Sequence, residues 1–172
     1  MSRIAFVLAV AASILSAHPN AQAPAPSMPL NTVTASGAFQ GQTVTATHAL
    51  AWWSAPERQV RLVLFDHPPS TGMLTAAKTG SFGEEGPLIR VSVGFAGPGR
   101  TLADVSDCFV NVTFPTGGPI GTNTDAQGCG LERVVTDGTP GGAVQLVMKG
   151  SGMAGLDARF SWDIALHVPI AK

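Results

Sequence analysis

Between Phe160 and Val168 every second residue is apolar: Phe160, Trp162, Ile164, Leu166 and Val168. Ser161, Asp163, Ala165 and His167 fill the gaps. A period of two is the repeat of extended backbone, whose successive side chains point to opposite faces. This stretch reads as a strand with one dry face and one wet face. The dry face has to be covered by another layer.

The same parity recurs along the chain. Val60, Leu62 and Leu64 share a face, with Arg61 opposed to them. Ile89, Val91, Val93 and Phe95 do so with Arg90 and Ser92 outside. Cys108, Val110, Val112 and Phe114 alternate with Asn111 and Thr113, and Val144, Leu146 and Met148 follow. In the stretch 42–53, even parity groups Val44, Ala46, His48, Leu50 and Trp52, with Thr43, Thr45 and Thr47 on the other face.

Strands are therefore expected near 32–39, 42–53, 58–66, 87–96, 106–115, 131–136, 143–149 and 159–169. Turns are expected at Gln40-Gly41, at Ser54–Glu57 and at Asp137–Gly142, where residues that favour tight turns cluster. Ser70–Lys78 alone reads as helical, with Ser70 or Thr71 as cap and Gly80 as stop. The fold class expected is all-β: an antiparallel β-sandwich, immunoglobulin-like or jelly-roll-like, of about eight strands with one short helix near 70–78. A closed barrel is the alternative.

The N-terminus carries a different signal. Met1-Ser2-Arg3 is positively charged, Ile4–Ala17 is a predominantly apolar run, and His18-Pro19-Asn20 breaks it. Ala21-Gln22-Ala23 then matches the small-x-small cleavage pattern of a secretory signal peptide. An apolar run of this length falls short of the roughly 20 residues of a membrane span. The expected organisation is a signal peptide at 1–23, an extended Pro-rich leader at 24–30 and one domain at 31–172. No Cys stands near the cleavage site, so no lipid anchor is expected. The localisation that follows is periplasmic or secreted, with no membrane span after cleavage.

Export bears on the two cysteines. Cys108 and Cys129 are an even pair, and in an oxidising compartment a disulfide is the default. It closes a loop of about 22 residues, worth roughly 3 kcal/mol of chain entropy. That loop holds Thr116–Pro119 and Gly121–Asp125, and reads as turn-rich.

Charge excludes one class of partner. Cleavage removes Arg3 from ten Lys and Arg, which against eleven Asp and Glu leaves a formal charge of −2. No basic stripe runs along any segment, and nucleic acid binding needs one.

Three residues are candidates for a site. His48 and Asp66 fall on the apolar parity of adjacent strands. In a hairpin centred near residue 56 they lie one diagonal step apart, within side-chain reach. A buried carboxylate needs a partner and imidazole is a suitable one, so the pair reads as a structural contact or a His–Asp dyad. No Gly-x-Ser-x-Gly elbow supplies a nucleophile. Trp53 falls outside by parity, beside a Pro-containing loop, and reads as a platform for a sugar ring or a partner. His48, His67 and His167 are dispersed, so neither a metal site nor a cofactor is expected.

The function expected is non-enzymatic binding of, or interaction with, a protein, peptide or glycan through Trp53. The alternative is a small hydrolase-like or metal-assisted enzyme using His48 and Asp66.

Overall fold

The computed structural model describes residues 28–80, 86, 88–97, 99–116, 118–154 and 158–172. The expected signal peptide (1–23) and most of the expected leader (24–30) lie outside the described residues. Ten strands are described, with one helix between the fourth and fifth. They are β1 (Thr32–Phe39), β2 (Gln42–Ala46), β3 (His48–Ser54), β4 (Gln59–Phe65), α1 (Met73–Thr79) and β5 (Ile89–Phe95). Then come β6 (Val105–Phe114), β7 (Gly118–Thr124), β8 (Leu131–Thr136), β9 (Ala143–Met153) and β10 (Arg159–Pro169).

Two antiparallel five-stranded sheets pack face to face, which bears out the β-sandwich. One sheet has the order β2-β1-β10-β9-β8, the other β3-β4-β5-β6-β7. Neighbours in each sheet are neighbours in sequence, except where β10 pairs with β1. The described strands thus form an up-and-down meander. The Greek-key crossings of an immunoglobulin-like fold are not seen among them.

The chain changes sheet twice. The first change falls at Thr47, between β2 and β3. The two were expected as one strand over 42–53, yet they belong to different sheets. Strands that bend out of one sheet into another make the corners of such sandwiches. Thr47 still donates its N–H to Phe65 O at 2.9 Å, which anchors the corner to the end of β4. The break resets the parity. In β2 the inward residues are Val44 and Ala46; in β3 they are Ala49, Ala51 and Trp53.

The second change lies between β7 and β8. β7 is a strand where a turn-rich loop was expected; it pairs with β6 from Cys108↔Thr124 to Phe114↔Gly118. Its Gly, Pro, Thr and Asn content hides it from a hydrophobic pattern. As an edge strand it needs backbone pairing more than apolar burial. Cys108 on β6 is bridged to Cys129, just before β8, with Cα atoms 6.1 Å apart, as the cysteine pair predicted. The bridge ties one sheet to the segment entering the other.

The rest of the core follows the sequence. Val60, Leu62, Leu64, Ile89, Val91, Val93, Val110 and Val112 from one sheet meet Leu146, Met148, Phe160, Ile164 and Leu166 from the other, all buried. Gln40 and Gly41 both have positive φ, 47° and 80°, and close the β1–β2 hairpin with a turn whose twist matches the strands. α1 starts at Met73, three residues later than the earliest expected cap. Its N-cap is Gly72, and neither Ser70 nor Thr71 caps it. Gly80 ends it at φ 75°, donating its N–H to Ala76 O.

Candidate functional site

The second sheet has an outer face that the sandwich core does not use, and side chains along it stand in lateral rows. Register places Trp52 opposite Arg61, Arg61 opposite Ser92, and Ser92 opposite Phe109. The next row runs Leu50, Val63, Arg90 and Asn111. The face is mostly apolar over β3 and β4, where Arg61 interrupts it, and mostly polar over β5 and β6, where Phe109 does.

α1 covers the apolar half. Trp52, Val63, Phe65, Met73 and Ala77 form a second hydrophobic cluster, with Leu50, Leu74 and Ala76 packed against it. The spacing of Met73, Leu74, Ala76 and Ala77 gives this short helix the apolar stripe it needs to dock. The helix stops short of β5 and β6, and a cleft of about 360 Å³ opens along that step.

Each wall of the cleft has a separate origin. Trp52, Leu62 and Val63 form the wall beneath the helix, and Ala77, Lys78, Thr79 and Gly80 form the helix side. Arg61, Arg90, Val91, Ser92 and Phe109 form the sheet side. Trp52 is nearly buried, at 8% exposure. Phe109 is half-buried. It is apolar on the outward parity of β6, where Asn111 and Thr113 are polar.

Arg61 is held from below. It forms an ion pair with Glu57, and its Nε donates to Gln59 Oε1 at 3.4 Å. Gln59 in turn donates through Nε2 to Asp107 Oδ1 at 3.2 Å. The β3–β4 turn and the start of β4 thus fix the guanidinium beside the cleft, and Asp107 on β6 holds Gln59 in turn. Three of the chain's ten Lys and Arg line this one cleft: Arg61, Lys78 and Arg90. Among the described residues no Asp or Glu lines it. The Arg61 charge is already met by Glu57, which stands outside the lining.

The residues singled out from sequence fall elsewhere. His48 begins β3 opposite Phe65, half-buried, with Nδ1 3.0 Å from Thr47 Oγ1. Asp66 lies just past the end of β4 with its side chain 61% exposed, and its Oδ1 is 2.6 Å from His67 Nδ1. That contact with His67 holds the Asp66 carboxyl below its ordinary value. The expected His48–Asp66 pair is therefore corrected: the two side chains have separate partners. Parity was carried through Thr47, where the chain changes sheet.

Trp53 is corrected on the same ground. It turns inward, half-buried, against the main core. Its ring centroid is 6.0 Å from that of Phe95, and the Arg100 guanidinium lies 5.0 Å over it. Arg100 also donates to Asp137 O, so Trp53 and Arg100 together close one end of the sandwich. Trp52 takes the outward place expected of Trp53, and α1 covers it.

The third and fourth histidines are structural in their contacts. His67 meets Asp66, and His167 Nδ1 lies 2.6 Å from Met28 O. No group of three or more His, Cys, Asp or Glu that could hold a metal occurs among the described residues. No helix among them is long and apolar enough to cross a membrane.

The fold defines a class: a disulfide-bonded, two-sheet antiparallel β-sandwich with one helix docked on an outer face. Comparison with protein-family models, curated proteins and solved structures finds no match.

Proposed function

We propose that this chain is an exported binding protein, periplasmic or secreted, and that its ligand site is the cleft between α1 and the outer face of β4–β6. One observation carries the reading. The cleft gathers Trp52, Phe109, Ser92 and three cations from separate elements into one concavity. Its volume of about 360 Å³ is at the small end of ligand sites, which run from roughly 300 to 1,000 Å³. A concave surface with apolar walls and a few convergent polar groups is the usual form of such a site. The disulfide and the N-terminal apolar run support export.

The glycan member of the expected partner classes fits best. Aromatic side chains beside hydrogen-bond donors suit a sugar ring, which has an apolar face and a polar rim. His48 and Asp66, with separate partners, lend the enzymatic alternative no support.

The binding test is a fragment screen read by heteronuclear NMR on the disulfide-bonded protein. Fragments that bind are expected to shift the Trp52 indole resonance together with amides of Thr79, Gly80 and Ser92. Shifts confined to other faces overturn the reading. The export test is N-terminal sequencing of the protein recovered outside the cytoplasm, which is expected to begin at Pro24. An intact Met1 overturns that part.

A further inference from the structure

We propose that β7 is the surface through which two copies of this chain pair edge to edge, so that one sheet continues across both molecules. The pairing draws on no residue of the cleft and stands apart from the ligand reading.

Two open sheets leave four edge strands: β2 and β8 in one sheet, β3 and β7 in the other. An uncovered edge is a row of N–H and C=O groups that a further strand can take up. Three of these edges are protected. On β3, Ala51 bridges to Ile170, and its carbonyl oxygen accepts from Ala171 N–H at 2.8 Å. β8 is bridged to Thr101 at Val135 and carries Glu132 and Arg133. β2 is five residues long and ends at the Thr47 corner. β7 is different. It runs seven residues, Gly118–Thr124, carries no charged side chain, and among the described residues pairs with β6 alone. Its one blunting residue is Pro119, near one end.

Register shows which backbone groups face outward. Thr113 donates its N–H to Leu88 O, on the β5 side, at 2.8 Å. Backbone groups alternate sides along a strand, so Asn111 and Phe109 also turn toward β5. Their partners on β7, which are Pro119, Gly121 and Asn123, therefore turn their backbone groups away from β6. All three are exposed. Pro119 has no N–H to offer. Gly121 and Asn123 each offer an N–H and a C=O.

A second copy fits this edge. Antiparallel pairing about a twofold axis at Gly121 sets Gly121 opposite itself and Asn123 opposite Pro119. An axis at Thr122 sets Gly121 opposite Asn123. In either register the outward amides of both copies all meet carbonyl oxygens, so the donor that Pro119 lacks leaves no amide without a partner. With no charge on β7, two copies meet there without like-charge repulsion. Recognition of a foreign strand draws its specificity from pockets for alternate side chains, and Gly118, Pro119 and Gly121 have little side chain to form them. Twofold pairing is also the commonest closed assembly. The axis stands normal to the sheet, so the outer faces of both copies share one side.

The test is sedimentation velocity on the intact disulfide-bonded protein from about 1 μM to about 1 mM, the range in which a small interface associates. A monomer–dimer equilibrium is expected. With rising concentration the Gly121 and Asn123 amides are expected to gain protection from hydrogen exchange. Asn123→Pro removes an outward N–H that β6 does not use, and is expected to weaken the dimer about tenfold or more. Asn123→Lys keeps that N–H and places like charges along the shared edge. It is expected to weaken the dimer at low salt and to recover part of it at about 1 M salt, so it decides the matter even if Asn123→Pro perturbs the strand. A monomer throughout the range, or a dimer that protects another edge strand instead, overturns the proposal. Protection of Gly121 and Asn123 already in the monomer also overturns it, because another part of the same chain then covers β7.

Discussion

Trp162 Nε1 donates a hydrogen bond to the carbonyl oxygen of Cys129 at 3.0 Å, and both residues are buried, at 2% and 0% exposure. Trp162 belongs to β10 in one sheet. Cys129 is bridged to Cys108 on β6 in the other. Indole, backbone and disulfide therefore hold one point where the two sheets and the β7–β8 connection meet. The Trp162 ring also lies over Gly150 across the β9–β10 ladder, where a Cβ would come within 2.7 Å of it.

Removing the disulfide by Cys108→Ser with Cys129→Ser is expected to cost roughly 2–5 kcal/mol of unfolding free energy. Urea denaturation of both forms measures it. The edge strand β7 lies inside the closed loop, so its amides are expected to lose protection first on hydrogen exchange.

Trp162→Phe keeps an aromatic ring but removes the donor to Cys129 O. Leaving that buried carbonyl without its donor is expected to cost about 1–3 kcal/mol. The disulfide still forms in this variant, which thiol titration of the unfolded protein checks. A midpoint unchanged from the parent in denaturant would show that the indole bond carries no stability.

Gly37 faces inward on β1, where an added Cβ would stand 2.6 Å from Val112 Cγ1 on the opposing sheet. Gly37→Ala is expected to destabilise by about 1–3 kcal/mol through overpacking. Val112→Ala alone is also destabilising, but the double variant should recover part of the loss. A double-mutant cycle measures that coupling, and strict additivity would place the two residues out of contact.

Asp66 gives a pH dependence of known sign. Its carboxyl is held below the ordinary value of 3.8 by His67, so the folded state favours its charged form. The resulting stability is present in full above pH 3.8 and is lost as pH falls below it. The pair is exposed, so solvent screening keeps the effect small. Asp66→Asn is expected to flatten this acid limb in melting curves taken from pH 5 down to pH 2.5, and to leave the midpoint near neutral pH almost unchanged.

Much of the core was legible because parity is a local property. Nearly all the inward residues of β4, β5, β6, β9 and β10 are those that alternation assigns. The candidate site was legible only in fragments. Arg61, Arg90 and Ser92 read as outward residues of their strands, and an apolar Phe109 among outward polar residues was the remaining signal. Nothing in linear sequence joins them, since their proximity comes from lateral register across three strands. The Trp52–Trp53 assignment failed because a single residue at the Thr47 corner reverses the side chains of the strand that directly follows it, β3.

The sequence by itself determined the β class, the helix position and its Gly80 stop, the disulfide pair and most of the buried faces. These follow from side-chain alternation, local turn chemistry and cysteine count. Only the tertiary structure decided where the chain changes sheet, that β7 pairs as an edge, and which tryptophan faces outward. It alone set α1 on half of an outer face and so created the cleft. Those outcomes depend on backbone pairing and packing between segments far apart in the chain, and a period-two pattern does not encode either. The N-terminal tryptophan of the Trp52–Trp53 pair, assigned to the core by parity, thus becomes a wall of the candidate site.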